Sequence, residues 1–148
     1  MRAVSLIVLL AGCGPNLPAS YPGPPDVQLG TGYQQFVAIS DGDAVPIIMG
    51  LQGGFHVWGS VRARWLDPFQ LHLHFTITLD GQSATQAVRD DNIDLAGTDD
   101  GTTYGEHLGS AVIFNDVAMV RGQPCDFTLE VTDQFNRTAT VEKRIVPM

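Results

Sequence analysis

The chain has 148 residues, enough for one domain with its own core, and carries 8 Lys and Arg against 16 Asp and Glu, a formal charge of −8. That balance argues against nucleic acid or anionic lipid as a partner of the folded part, because both need basic surface. The acid is mostly Asp, thirteen against three Glu, and Lys occurs once. With Gly, Pro and Thr in such abundance, this composition favours turns and strands over helices.

The chain opens on one basic residue, Arg2, then an apolar run over 3–10, then Leu10-Ala11-Gly12-Cys13. The run is too short to cross a bilayer as a helix, and a basic start, an apolar stretch and small residues before a cleavage point are the parts of a secretory signal. Leu10-Ala11-Gly12-Cys13 resembles the lipobox of bacterial lipoproteins. The resemblance implies that a signal peptide, 1–12, is removed and that the Cys13 thiol is joined to diacylglycerol. Two or more acyl chains, at roughly 0.8 kcal/mol per buried methylene, give stable attachment. Gly14 rather than Asp follows the cysteine. By the same resemblance, the protein is expected at the outer membrane, facing the periplasm or the cell surface. Without Arg2 the mature chain carries −9.

Residues 13–32 hold the lipid-bearing Cys13 and then a stretch with five of the nine prolines, four glycines and no apolar periodicity. Such a segment cannot offset its ordering entropy by burial and reads as a disordered, semi-extended tether, up to about 60 Å long at ~3.1 Å per residue.

Residues 33–148 alternate with a period of two between frequent turn signals, which predicts strands over 33–40, 45–50, 55–66, 70–80, 82–89, 109–116, 125–132 and 137–146. Seven to eight short strands and no sustained helical stripe point to an all-β domain, an antiparallel sandwich. Phe127-Thr128-Leu129-Glu130-Val131-Thr132-Asp133, a turn, then Arg137-Thr138-Ala139-Thr140-Val141 resembles the last hairpin of Ig-like and fibronectin-like domains. Gln52-Gly53-Gly54-Phe55-His56-Val57-Trp58 resembles a Gln-Gly-Gly-aromatic-His-x-Trp segment of Ig-like bacterial lipoproteins, a group that brings no ligand or activity with it. Cys125 shares a face with Phe127, Leu129 and Val131 and is expected to be a buried, unreactive thiol, so the mature domain has no intrachain disulfide. Asp133 is expected to start the last turn by accepting backbone N–H groups.

The densest chemistry lies between Phe55 and Asp80. A hairpin pairing Trp65 with Leu71 would keep every apolar residue on one face and set Arg64 opposite His72, Arg62 opposite His74, Trp58 opposite Thr78 and His56 opposite Asp80. His56, Trp58, Arg62, Arg64, His72 and His74 are therefore the candidate partner-contact surface, residue types enriched at protein contacts. His72 and His74 have the spacing of a metal pair, but guanidiniums placed opposite would disfavour a cation, so no metal is expected there. Asp90, Asp91, Asp94, Asp99 and Asp100 fall in an apparent loop that could offer oxygens to calcium, without the alternating ligands, central Gly and final Glu of an EF-hand. His107 and Ser110 lie close in sequence with no nucleophile-elbow pattern or orienting acid, and Asn136-Arg137-Thr138 reads as a polar turn. No enzyme activity and no cofactor are expected. The expected role is a binding or scaffolding module of the cell envelope, with an envelope protein or ligand as partner and the membrane reached through the N-terminal lipid. The alternative is a calcium- or small-ligand-binding module using residues 90–100.

Overall fold

Between residues 71 and 79 the chain reads Leu-His-Leu-His-Phe-Thr-Ile-Thr-Leu, and every apolar member is buried while every polar one is half-exposed. A strand does this because successive side chains point to opposite faces. The computed structural model describes residues 21–148, and in it this strand is one of ten. In chain order they are β1 (Asp26–Thr31), β2 (Val37–Ala38), β3 (Asp43–Val45), β4 (Ile48–Met49), β5 (Phe55–Arg64), β6 (Leu71–Leu79), β7 (Thr85–Ile93), β8 (Gly105–Ile113), β9 (Cys125–Thr132) and β10 (Thr138–Pro147). One short helix, α1 (Val117–Val120), precedes β9, with the Asp116 carboxylate accepting from the Ala118 amide. The expected all-β architecture is present as two facing sheets.

In the first sheet β5 is central, with β8 along one edge and β1 along the other, and β4 continues the β1 edge at Phe55 and His56. β2 lies outside β1. The second sheet runs β3-β10-β9-β6-β7, antiparallel except for β3, which lies parallel to β10.

Four sequence expectations need correction. Ten strands stand where seven to eight were expected, because three short strands, β2, β3 and β4, replace the predicted 33–40 and 45–50, and β1 precedes them. Asp26–Thr31, expected to belong to a tether over 13–32, forms β1 instead, which pairs with β5 and buries Leu29. β7 runs through Arg89, Asp90, Asp91 and Asn92 to Ile93, so the acidic stretch begins as strand.

The fourth correction concerns the Phe55–Asp80 hairpin, which does not form. β5 and β6 lie in different sheets, and their apolar faces meet across the sandwich instead of side by side. Trp65 and Gln70 both adopt left-handed backbone, with φ of 62° and 54°, and turn the chain out of the first sheet. Left-handed backbone costs a non-glycine residue roughly 1–2 kcal/mol. Here it is offset by burial of Leu66 and by a set of hydrogen bonds. The Trp65 amide donates to the Gly101 carbonyl at 2.6 Å, the Asp67 amide to Asp133 Oδ2 at 3.1 Å and the Gln70 amide to Asp94 Oδ1 at 2.8 Å.

Between the sheets lie Val57, Val61 and Ala63 of β5, Leu71, Leu73, Phe75 and Ile77 of β6, and Cys125, Phe127, Leu129 and Val131 of β9, all fully buried. Each Leu, Ile, Val or Phe so buried contributes about 1.5–3 kcal/mol. At Gly59 the Phe75 ring of the facing sheet packs against the backbone, where a Cβ would come within 2.8 Å of it. Cys125 is held in this core with its thiol pKa pushed up to about 11 by burial, then by Asp126, as an inert thiol should be.

Asp133 binds the β9–β10 turn as expected and also reaches the crossing between sheets. Its Oδ1 accepts from the amides of Phe135 and Arg137, both at 2.9 Å, and its Oδ2 from Asp67. Asp133→Ala would leave three backbone donors short of a partner, and chemical denaturation should show a loss of about 2–4 kcal/mol. A variant as stable as the parent would mean that the crossing does not depend on this carboxylate.

Candidate functional site

The even-numbered residues of β5, from His56 to Arg64, line the outer face of the first sheet. β8 carries a bulge against them: Gly59 pairs with Ser110 and Val61 with His107, so Leu108 and Gly109 face the single residue Ser60. Gly109 takes φ 80° there, and a Cβ on it would meet the Tyr33 ring at 2.8 Å. The Ser60 hydroxyl donates to the Gly32 carbonyl at 2.6 Å and accepts from the Gly109 amide at 3.1 Å. Together these contacts hold the β1–β2 loop down on the sheet.

That loop covers part of the expected contact surface. Tyr33 packs on Trp58 with ring centroids 5.0 Å apart, and His56 meets Trp58 edge-on at 4.3 Å. Arg62 lies 4.7 Å from the Phe36 ring and donates through Nε to Glu106 at 2.8 Å. Arg64 sits between the rings of Trp65 and Tyr104, at 4.2 and 4.4 Å, and pairs with Asp26 at 2.9 Å. Asp26 also accepts the Tyr104 hydroxyl, and burial of the pair raises the phenol's pKa further after that bond. Both arginines thus tie neighbouring strands together, although each keeps some exposure.

His72 and His74 are on the other side of the molecule, on the outer face of the second sheet. Their neighbours differ from those expected: Asn92 and Asp90 on β7, and Thr132 and Glu130 on β9. His74 Nδ1 is 2.7 Å from Asp90 Oδ1, His72 Nε2 is 3.3 Å from the same oxygen, and His72 Nδ1 is 3.3 Å from Asn92 Oδ1. The hydrogen bond from His74 holds the Asp90 carboxyl below the usual range. The six expected contact residues therefore divide into two groups on opposite faces.

The five acidic candidates for calcium are not gathered. Asp90 faces the histidines. Asp91, on the opposite face of β7, bonds Arg89 Nε at 2.7 Å. Burial pushes the Asp91 carboxyl up, but hydrogen bonds from Arg89 and Ser110 outweigh it and leave it low. Asp94 accepts from Gln70, and Asp100 from the amide and hydroxyl of Thr102, which keep its carboxyl low. Asp99 joins none of the other four in a shared donor group; among the described residues the one group of three His, Cys, Asp or Glu donors able to share an ion is His72, His74 and Asp90.

His107 Nε2 lies 3.2 Å from Ser110 Oγ, and Asp91 stands by the serine. In a nucleophile–base–acid relay the acid would instead hold the far nitrogen of the histidine. Ser110 is also only 3% exposed, so this group serves to join β7 to β8.

Sequence reasoning passed over one end of the sandwich. Five of the nine exposed large apolar side chains, Met49, Leu51, Ile113, Met119 and Met148, belong to segments that meet at this end, where β5 begins and β8 and β10 end, with Met49 on the inward side of the first sheet and Ile113 on its outward side. A cleft of about 480 Å³ lies there between Leu51, Gln52, Ile113 and Ala111, with His56 in its wall. His56 is 7% exposed, and its Nε2 has no hydrogen-bond partner among the described residues.

Burial holds His56 and His107 below their ordinary pKa of 6.5. The unfolded chain takes up these protons first, so stability present above about pH 6.5 is lost as the pH falls through that value towards the lower folded values. Carboxylates held low, such as Asp91 and Asp100, lose their share only further down, below the ordinary 3.8. The melting temperature should therefore fall between about pH 7.5 and about pH 5, and less steeply in His56→Leu. A flat profile across that window would contradict the burial of both imidazoles. Comparison of the chain with family models, curated proteins and solved structures returned no match, so its function has to be read from these faces.

Proposed function

We propose that the protein is a lipid-anchored module of the bacterial cell envelope, in which an Ig-like sandwich holds a protein partner at the end farthest from its anchor. The anchor rests on Leu10-Ala11-Gly12-Cys13, which lies outside the described residues. Gly14 supports the outer membrane as its site, facing the periplasm or the cell surface. The strand orders support the Ig-like assignment. β1-β5-β8 corresponds to strands A, B and E, and β10-β9-β6-β7 to G, F, C and C′, with β3 parallel to β10 as a split first strand.

One observation carries the binding role. The chain enters the sandwich at Asp26, paired with Arg64 at the last residue of β5, whereas Met49 pairs with Phe55 at its first. At ~3.3 Å per residue, the entry point and the apolar end are about 30 Å apart. The segment leading to Cys13 therefore leaves from one end, and Met49, Leu51, Ile113, Met119 and Met148 lie on segments at the other. Flexible thioethers suit a protein contact that must adapt its packing.

Two measurements test this reading. Cys13→Ser should move the protein from the membrane fraction to the soluble fraction, and retention of the variant would remove the anchor. A photo-activatable residue at Leu51 should yield one discrete protein adduct in intact cells, with none from Gln134 at the opposite end, and Met49→Asp should abolish it with little change in melting temperature. Equal labelling from both ends, or an adduct containing only a second copy of the chain, would overturn the proposed contact.

A further inference from the structure

The outer face of the second sheet carries an inference independent of the anchor and of the apolar end. We propose that His72, His74 and Asp90 bind one divalent transition-metal ion of the zinc class, leaving a fourth coordination position open to solvent.

The geometry follows from the strands. Residues two apart on β6 project to the same side, and Asp90 is the direct cross-strand partner of His74 on β7. One donor atom from each of the three lies within 4.8 Å of the others. Tetrahedral zinc, with bonds of about 2.0–2.2 Å, needs its donors about 3.4 Å apart. Half-exposed side chains can close that gap by rotating without disturbing the core beneath them. Asn92 supplies a supporting contact: its Oδ1 accepts from His72 Nδ1 at 3.3 Å, which leaves the Nε2 lone pair facing Asp90.

The electrostatics have the right sign. Arg62 and Arg64 are on the other sheet, and Arg89 is bonded to Asp91 on the opposite face of β7. Across from His74 on β9 stands Glu130, an exposed carboxylate on the same face. The ion would replace the hydrogen bond that His74 now makes to Asp90 and would bridge both imidazoles to that carboxylate. Two nitrogens and one oxygen suit zinc, nickel or copper, whereas calcium and magnesium prefer oxygen alone. Three protein ligands with a free position is also the arrangement that lets a bound ion accept a further donor.

Titration of the purified full chain with zinc chloride, followed by calorimetry in excess calcium, should show one ion per chain. Cobalt in its place should give the visible absorption of a four-coordinate nitrogen–oxygen site. His72→Ala and His74→Ala should lose the uptake, and Asn92→Ala should weaken it about 10–100-fold. Asp99→Asn, in the acidic segment, should bind as the parent does. Melting of each variant without metal, unchanged from the parent, separates a lost ligand from a lost fold. No uptake by the parent, or uptake that survives both histidine substitutions, would overturn the site.

Discussion

The crossing at residues 65–70 governs where everything else in the molecule stands. Trp65 and Gln70 turn left-handed, Leu66 is buried between them, and Asp133 and Asp94 take up the freed amides of Asp67 and Gln70. The result is that β5 and β6 face each other across the core, with Gly59 allowing Phe75 its place. Had the chain turned back in the plane of the first sheet, four cationic or imidazole side chains would share one surface. The crossing instead sends the arginines to one face and the His72–His74 pair to the other.

Each face then acquires its character from neighbours distant in sequence. On the first sheet, Asp26 from the start of the fold and Glu106 from β8 neutralise Arg64 and Arg62, and aromatic rings cover what remains of the guanidiniums. These contacts join three strands and fix the edge at which the N-terminal segment enters. On the second sheet, β7 brings Asp90 and Asn92 to the histidines with no cation between them. The same acidic residues that looked like one loop thus serve three separate purposes: a donor group on one face, an ion pair on the other, and a cap on the crossing at Gln70.

Much of the fold was legible because it depends on alternation alone. β9 spans Cys125–Thr132, as its pattern indicates, and β6 differs from expectation by one residue at each end. Alternation fails where a strand has little to bury. β1 offers only Val27 and Leu29 after a run of prolines, and the second half of β7 is a polar edge whose Asp and Asn residues signal a loop. The wrong partner for β6 had a different cause. Parity is the same whether two apolar faces lie side by side or face to face, so residues 55–80 satisfy both arrangements. The His-x-His spacing was visible, but Asp90 could join it only once β7 was in register. The apolar end escaped notice because Met49, Leu51, Ile113, Met119 and Met148 belong to different turns and strand ends.

The central claim is that β5 and β6 lie in opposite sheets, because both the arginine face and the histidine group follow from it. Backbone nuclear Overhauser contacts of His74 in an isotopically labelled sample test it directly. The account predicts cross-strand contacts from His74 to Asp90 on one side and to Glu130 on the other. Cross-strand contacts between His74 and Arg62 would contradict it and restore the in-plane hairpin.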